Sequence, residues 1–270
     1  MPRFSANLSL LFTEIGFLDR FAAAAEAGFE GAEFMFPYGY DKGHLADLLH
    51  EHGLTLVLHN LPAGDWAAGD RGIACLPDRV GEFRAGVEEG VAYATALGCP
   101  RLNCLGGIVP PDVDAARARD TLIANLAYAA ERLAEAGIEL LVEPVNTRDI
   151  PGFFPSRTAQ VREIFDVVGA GNLRLQLDLY HTQVMEGDLA HTIETLLPII
   201  GHLQVADNPG RHEPGTGEIN FGFLFKLIDD LGYDGWIGCE YRPKADTSSG
   251  LGWLAPYLDR ASRRHLTGRE

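Results

Sequence analysis

The segment RVGEFRAGVEEGVAYATALGCPRLNCL (79–105) carries the pattern that decides the fold. Within it Val80, Phe83, Val87, Val91, Ala94 and Leu97 recur at spacings of three or four, the period of a helix with one apolar face. RLNCL (101–105) follows at once as a short, strand-like apolar run. Working outward, the same alternation continues in both directions. Upstream lie RFSANLS (3–9), GAEFM (31–35) and LTLVLH (54–59). Downstream, a second helical face (Leu122, Leu126, Ala129, Leu133) leads to IELLVEP (138–144), LRLQLDL (173–179), HLQVAD (202–207) and WIGCEY (236–241). Eight strand–helix units in about 250 residues is the arithmetic of an α/β fold of one kind, the (β/α)8 TIM barrel. An open, doubly wound sheet would carry a glycine-rich phosphate turn after its first strand, and ANLSLLF (6–12) has none. Ala27-Gly28 and Leu231-Gly232 mark helix ends, and the echo between AGFEGAEF (27–34) and LGYDGWIGCEY (231–241) reflects reuse of one helix-to-strand turn. No linker divides the chain. One domain over 1–270 is expected, with the barrel over about 3–258 and a frayed C-terminal tail over 259–270.

The chain has 270 residues, 46% of them hydrophobic, enough for a packed core. Its 22 Lys+Arg against 38 Asp+Glu leave a net charge of −16, which disfavours nucleic acid and anionic membranes as partners. MPRFSANLSLLFTEIGF (1–17) is interrupted by polar residues before a signal-peptide core is complete, and no run approaches the ~18 apolar residues of a membrane span. Cys75, Cys99, Cys104 and Cys239 are scattered without a CxxC pair. They read as reduced, buried thiols of a cytoplasmic protein.

Barrel enzymes place their chemistry at the C-terminal ends of the strands. Strand 5 ends in Glu143, strand 6 in Asp178, strand 7 reaches Gln204 and strand 8 runs into Glu240, each about one unit apart. A lone strand-end acid is usually a helix cap or a solvated group. Three carboxylates and an amide oxygen on consecutive strands instead form a hard-ligand set for Mg2+ or Mn2+. Without a cation they would repel one another. His181 sits just past Asp178 in LDLYHTQ, and Arg211 lies in the Gly/Pro-rich loop ADNPGRHEPGTGEINF (206–221). Asn7 and the pair His59-Asn60 point toward the same rim, with local capping as the competing explanation for them.

A divalent ion in such a set chelates neighbouring carbonyl and hydroxyl oxygens and acidifies the C–H between them. Glu143 and Glu240 can then shuttle a proton between adjacent carbons through a cis-enediolate. The outcome is aldose–ketose isomerisation, or epimerisation when the proton returns to the opposite face. The residues leave open which glutamate acts first.

FSANLSLLFTE, AGFEGAEFMFPY, VEPVN, LQLDLYH, HLQVADNPGRHEPGTGEINF and GYDGWIGCEYRP together resemble the hydroxypyruvate isomerase family of the xylose-isomerase-like barrel superfamily. The resemblance runs from about residue 3 to 258 and is most specific over Gly201–Pro243. It implies Glu143 and Glu240 as the proton-transfer pair and Glu143, Asp178, Gln204 and Glu240 as metal ligands. It also implies substrate contacts from His181 and Arg211. Related ketose epimerases carry His where this chain has Gln204, and relatives carry an apolar residue where it has His59. The implied reaction is hydroxypyruvate to 2-hydroxy-3-oxopropanoate. Close alternatives are a 2-oxo-tetronate isomerase and a ketose 3-epimerase. Remoter ones are an apurinic-site endonuclease, which would want more His ligands and a basic groove, a dehydratase, and a non-catalytic sugar-acid binding protein. The implied partner is a small hydroxy-keto acid, and relatives of this barrel form dimers and tetramers.

Overall fold

The computed structural model describes residues 2–258, so the expected tail at 259–270 lies outside the described residues. Eight parallel strands close into a barrel: β1 (Arg3–Asn7), β2 (Gly31–Phe34), β3 (Thr55–Asn60), β4 (Arg101–Cys104), β5 (Glu139–Val142), β6 (Leu173–Asp178), β7 (Ile200–Val205) and β8 (Trp236–Cys239). Each strand pairs with its neighbours in chain order, and β1 meets β8 to complete the ring, with Ser5 opposite Gly238. This is the (β/α)8 architecture expected from the strand–helix alternation.

The helices pack outside. Val80–Leu97 buries Phe83, Val87, Ala94 and Leu97 and ends on Gly98, whose φ of 64° closes the helix. Gly90 lets this helix approach closely, because a Cβ there would lie 2.4 Å from Leu61 Cδ2. Ala115–Glu135 turns Leu122, Leu126, Ala129 and Leu133 inward. The two-residue strands Gly107–Ile108 and Phe153–Phe154 pair antiparallel in the loops that follow β4 and β5. All four cysteines are buried and free. Among the described residues no helix is long and apolar enough to cross a membrane.

Strand alternation sorts the side chains into two populations. Phe4 and Ala6, Leu175 and Leu177, and Leu203 and Val205 join the large apolar core. The intervening positions carry Ser5 and Asn7, Glu33, Asn103, Gln176 and Asp178, and His202 and Gln204, all buried. Ser5, Asn7, His202 and Gln204 converge on Glu33, Gln176 joins Gln204 to Glu143, and Asn103 reaches the same Glu143, while Val57, Leu58 and Leu141 form a separate small apolar cluster with Trp236. Room for that network comes from Gly238: a Cβ on it would stand 2.4 Å from both carboxylate oxygens of Glu33. Gly238→Ala is therefore expected to destabilise the protein by about 1–3 kcal/mol, the usual cost of overpacking, read by denaturant unfolding. Wild-type stability in that variant would show that Glu33 has freedom to move.

Candidate active site

Glu143 and Glu240 are the first residues beyond β5 and β8, while Asp178 ends β6 and caps the helix Leu179–Met185 by accepting from Tyr180 N at 2.8 Å. Apolar strands thus deliver three acids to one end of the barrel. Candidate ligand atoms of Glu143, Asp178, Glu240 and His181 lie within 4.8 Å of one another, and all four residues are buried. Glu143, His181 and Glu240 face a cavity of about 690 Å³ whose other walls include Trp66, Arg71 and Arg211.

The electrostatics of this cluster are unfavourable as they stand. Burial, then Glu240 and Asp178, push the Glu143 carboxyl well above the usual range. Burial also pushes Glu240 up to about 8, against the pull of Arg211. Among the described residues the compensating charge is a single guanidinium: Arg211 Nη2 lies 2.5 Å from Glu240 Oε2 and 3.3 Å from Asp178 Oδ2. One cation for three carboxylates leaves a deficit that a divalent ion fits, and oxygen donors are the chemistry such an ion selects.

His181 is oriented by its neighbours. Asn146 Oδ1 accepts from Asp149 N at 2.8 Å, so its amide nitrogen faces His181 Nδ1 at 2.6 Å. Nδ1 therefore accepts, and the ring proton sits on Nε2. That Nε2 lies 3.5 Å from Asp178 Oδ2 and 3.7 Å from Glu143 Oε1. Burial lowers the His181 pKa to about 3, leaving a neutral ring with a fixed donor aimed at the cluster.

Arg211 is held in a left-handed backbone conformation (φ 56°), a position a non-glycine residue takes only under constraint. Asp207 supplies that constraint. Its carboxylate accepts from Gly215 N and Gly217 N at 2.8 Å each, and from Asn208 N (2.9 Å) and Ile219 N (3.1 Å). At Gly217 a Cβ would lie 2.2 Å from Asn208 O, so the glycine is required for this closure. The guanidinium also sits 5.3 Å from the Tyr180 ring centroid.

The other sequence-derived candidates divide. Asn60 lines the cavity and accepts from Asn103 Nδ2 at 3.3 Å. Its neighbour His59 turns away, as strand alternation demands, to stack on Phe34 at 6.3 Å, and burial lowers its pKa to about 4. Asn7 bonds Glu33 Oε1 (3.1 Å) and Ser9 N (3.1 Å) and is not among the residues lining the cavity. Gln204 lies beneath the cluster, its Oε1 accepting from Gln176 Nε2 at 2.7 Å. Sequence reasoning passed over Glu33, Asn103, Gln176, Asn146 and Asp207. For three of these a signal existed: a polar residue at an axis-facing position of an otherwise apolar strand. Arg71 and Trp66 sit in a long loop and gave no such signal.

A family model described as xylose isomerase-like TIM barrel matches residues 21–257. The chain is 53% identical over 257 residues to a hydroxypyruvate isomerase of Escherichia coli, covering 95% of this chain and 100% of that protein. It is 51% identical over 260 residues to a 2-oxo-tetronate isomerase of Cupriavidus necator, covering 96% and 100%. A crystal structure described as an AP endonuclease, family 2, from Brucella melitensis superposes with a TM-score of 0.93 at 48% identity, covering 95% and 99%. The chain belongs to the xylose isomerase-like TIM barrel family, and within it stands beside enzymes named as isomerases.

Proposed function

We propose that this chain interconverts hydroxypyruvate and 2-hydroxy-3-oxopropanoate by proton transfer between adjacent carbons. The observation that carries this reading is the convergence of Glu143, Asp178, Glu240 and the Nε2–H of His181 within 4.8 Å at the cavity floor. Glu143, Asp178, Gln204 and Glu240 would hold a divalent ion, with Mg2+ or Mn2+ suiting the oxygen donors. When bound, that ion polarises the substrate carbonyl. One of Glu143 and Glu240 removes a proton from C3 of hydroxypyruvate, leaving an enediolate, and a carboxylate returns a proton to C2. The hydroxyl proton passes from O3 to O2, so atoms balance and no redox partner is needed. His181 donates from Nε2 to a substrate oxygen as charge develops there.

The carboxylate of the substrate needs its own partner. Arg211 is committed to Asp178 and Glu240, and Arg148 donates to Tyr180 Oη and Asn208 Oδ1 at 3.0 Å each. Arg71 lies 4.2 Å from the Trp66 ring centroid and is tethered through Nη1 to the carbonyls of Trp66 and Asp70. Its other nitrogens remain for an incoming carboxylate. A 2-oxo-tetronate obeys the same chemistry with one more hydroxylated carbon. Two observations favour it as second reading: the 51% identity to an enzyme of that name and a cavity of about 690 Å³. Against DNA stand the −16 charge and a cluster with one histidine among its four members.

Three outcomes are expected. First, Glu143→Gln and Glu240→Gln should each lower kcat by at least 10²–10⁴-fold, and both should stop deuterium uptake from D2O into substrate. Wild-type exchange in either variant removes that residue from proton transfer, and incision of an abasic duplex without isomerase activity would replace the reading. Second, Arg71→Met should raise KM for the acid substrates roughly ten- to hundredfold with kcat largely kept, measured by steady-state kinetics. Third, the raised Glu143 and Glu240 groups bind protons in the folded chain that the unfolded chain has released. Their contribution is intact below the ordinary value of 4.5 and is lost progressively as pH rises above it, for Glu240 through about 8. Metal-free protein should therefore lose thermal stability as pH rises from about 4.5 to about 8, while Mn2+ at ~100 Kd should restore about 2.7 kcal/mol. A Tm gap between metal-loaded and chelated protein that narrows as pH rises would contradict this.

A further inference from the structure

Beneath the carboxylate cluster lies a buried acid that the proposed chemistry does not use. Glu33, on β2, is 1% exposed. Its Oε2 accepts from Ser5 Oγ at 2.9 Å and lies 2.8 Å from His202 Nε2. Its Oε1 accepts from Asn7 Nδ2 at 3.1 Å and from Gln204 Nε2 at 2.8 Å. Gly238 walls the remaining side at a separation that admits no Cβ. Four donors from two other strands, β1 and β7, thus fix the carboxylate in place, more than a purely space-filling acid requires.

We infer that Glu33 is a positioning residue that decides which end of the Gln204 amide faces the carboxylate cluster. The inference rests on the reading of that cluster as a divalent-cation site. The two ends of an amide have nearly the same shape and opposite chemistry: the oxygen accepts and the NH2 donates. An ionised carboxylate can only accept, so the Gln204 atom against Glu33 is the NH2. The carbonyl oxygen is thereby turned the other way, toward Gln176 Nε2, which also donates to Glu143 Oε2 at 3.1 Å. A cation takes an oxygen ligand and is repelled by an amide NH2. Reversing this one side chain would remove a ligand and present a donor in its place. Glutamine at position 33 would keep the size of the side chain while offering both a donor and an acceptor, so either orientation of Gln204 would be satisfied. Neighbours that orient a ligand commonly govern about 10–100-fold in metal affinity.

The test is Mn2+ binding without substrate, followed by the electron paramagnetic resonance signal of the free ion. It compares wild type, Glu33→Gln, Gln204→Ala and the double variant, with circular dichroism confirming the fold of each. Glu33→Gln is expected to weaken Mn2+ binding about 10–100-fold, and the same change in the Gln204→Ala background should add less than about twofold, because Glu33 acts through Gln204. Wild-type Mn2+ affinity in folded Glu33→Gln overturns the inference. An equal loss in both backgrounds also overturns it, since Glu33 would then support the barrel generally. Should Glu33→Gln fail to fold, Glu33→Asp keeps the charge beside His202 while withdrawing the carboxylate from Gln204, and the same two comparisons decide. Wild-type protein that binds no Mn2+ would refute the cation-site reading itself and the inference with it, an outcome separate from any difference between variants.

Discussion

Buried negative charge is the constraint around which this barrel is arranged. Glu33, Glu143, Asp178 and Glu240 are all buried, and an uncompensated carboxylate in such a place costs several kcal/mol. The protein treats them in two opposite ways. Burial alone would raise Glu33, yet His202, Gln204 and Ser5 outweigh it and hold the group below the usual carboxylate range. Glu143 and Glu240 receive far less help, and burial and mutual repulsion drive them upward. A satisfied acid serves structure. Under-compensated acids at a cavity store the free energy that a cation and a substrate can draw on.

That division follows from strand geometry. The apolar rows of the strands build the core under the helices, and the alternate rows would ordinarily fill the barrel with branched aliphatic side chains. Here one layer of that filling is polar. Such a network is stable only when its members satisfy one another, and the convergence on Glu33 shows how closely this is met. Some buried atoms remain without partners, among them His202 Nδ1, Gln176 Oε1 and Asn103 Oδ1. Two of these three residues donate directly to Glu143 Oε2, so the incomplete satisfaction gathers beside the acid proposed to carry the chemistry.

The barrel was legible because its signal is repeated: each strand and helix restates the same period, and the break from apolar run to acid at Glu143, Asp178 and Glu240 is local. The axis network was not legible for a related reason. GAEFM and LRLQLDL read as apolar strands when their ends alone are considered, and the polar residues within them look like isolated interruptions. Only the two-residue period, pairing Gln176 with Asp178, His202 with Gln204 and Ser5 with Asn7, shows that they share the inner face. The same period separates Asn60 from His59, adjacent in sequence and opposite in orientation. Arg211 marks a different limit. Its place beyond β7 was readable, whereas its hold on Asp178 and Glu240 depends on a loop closed by Asp207, a contact no spacing rule encodes.

The net charge of −16 takes on a more definite meaning in this light. At physiological salt, charges beyond about 8 Å are largely screened, so the global excess does little to a small anion already inside the cavity. What matters there is the local sum, and Arg211 adds little to it while its guanidinium is shared between two carboxylates. A cation held there by Asp178 and Glu240, as proposed, would compete for the same oxygens, and competition for a shared partner is a thermodynamic coupling. Weakening the hold on Arg211 would free part of its charge to reinforce Arg71 on the substrate side of the cavity. On the proposed function, binding of the ion and binding of an anionic substrate would therefore be linked through two carboxylates and one arginine. By reciprocity the anion would then strengthen binding of the ion to the same degree. A protein that is acidic overall can in this way capture small anions, provided the cation is part of the site that receives them.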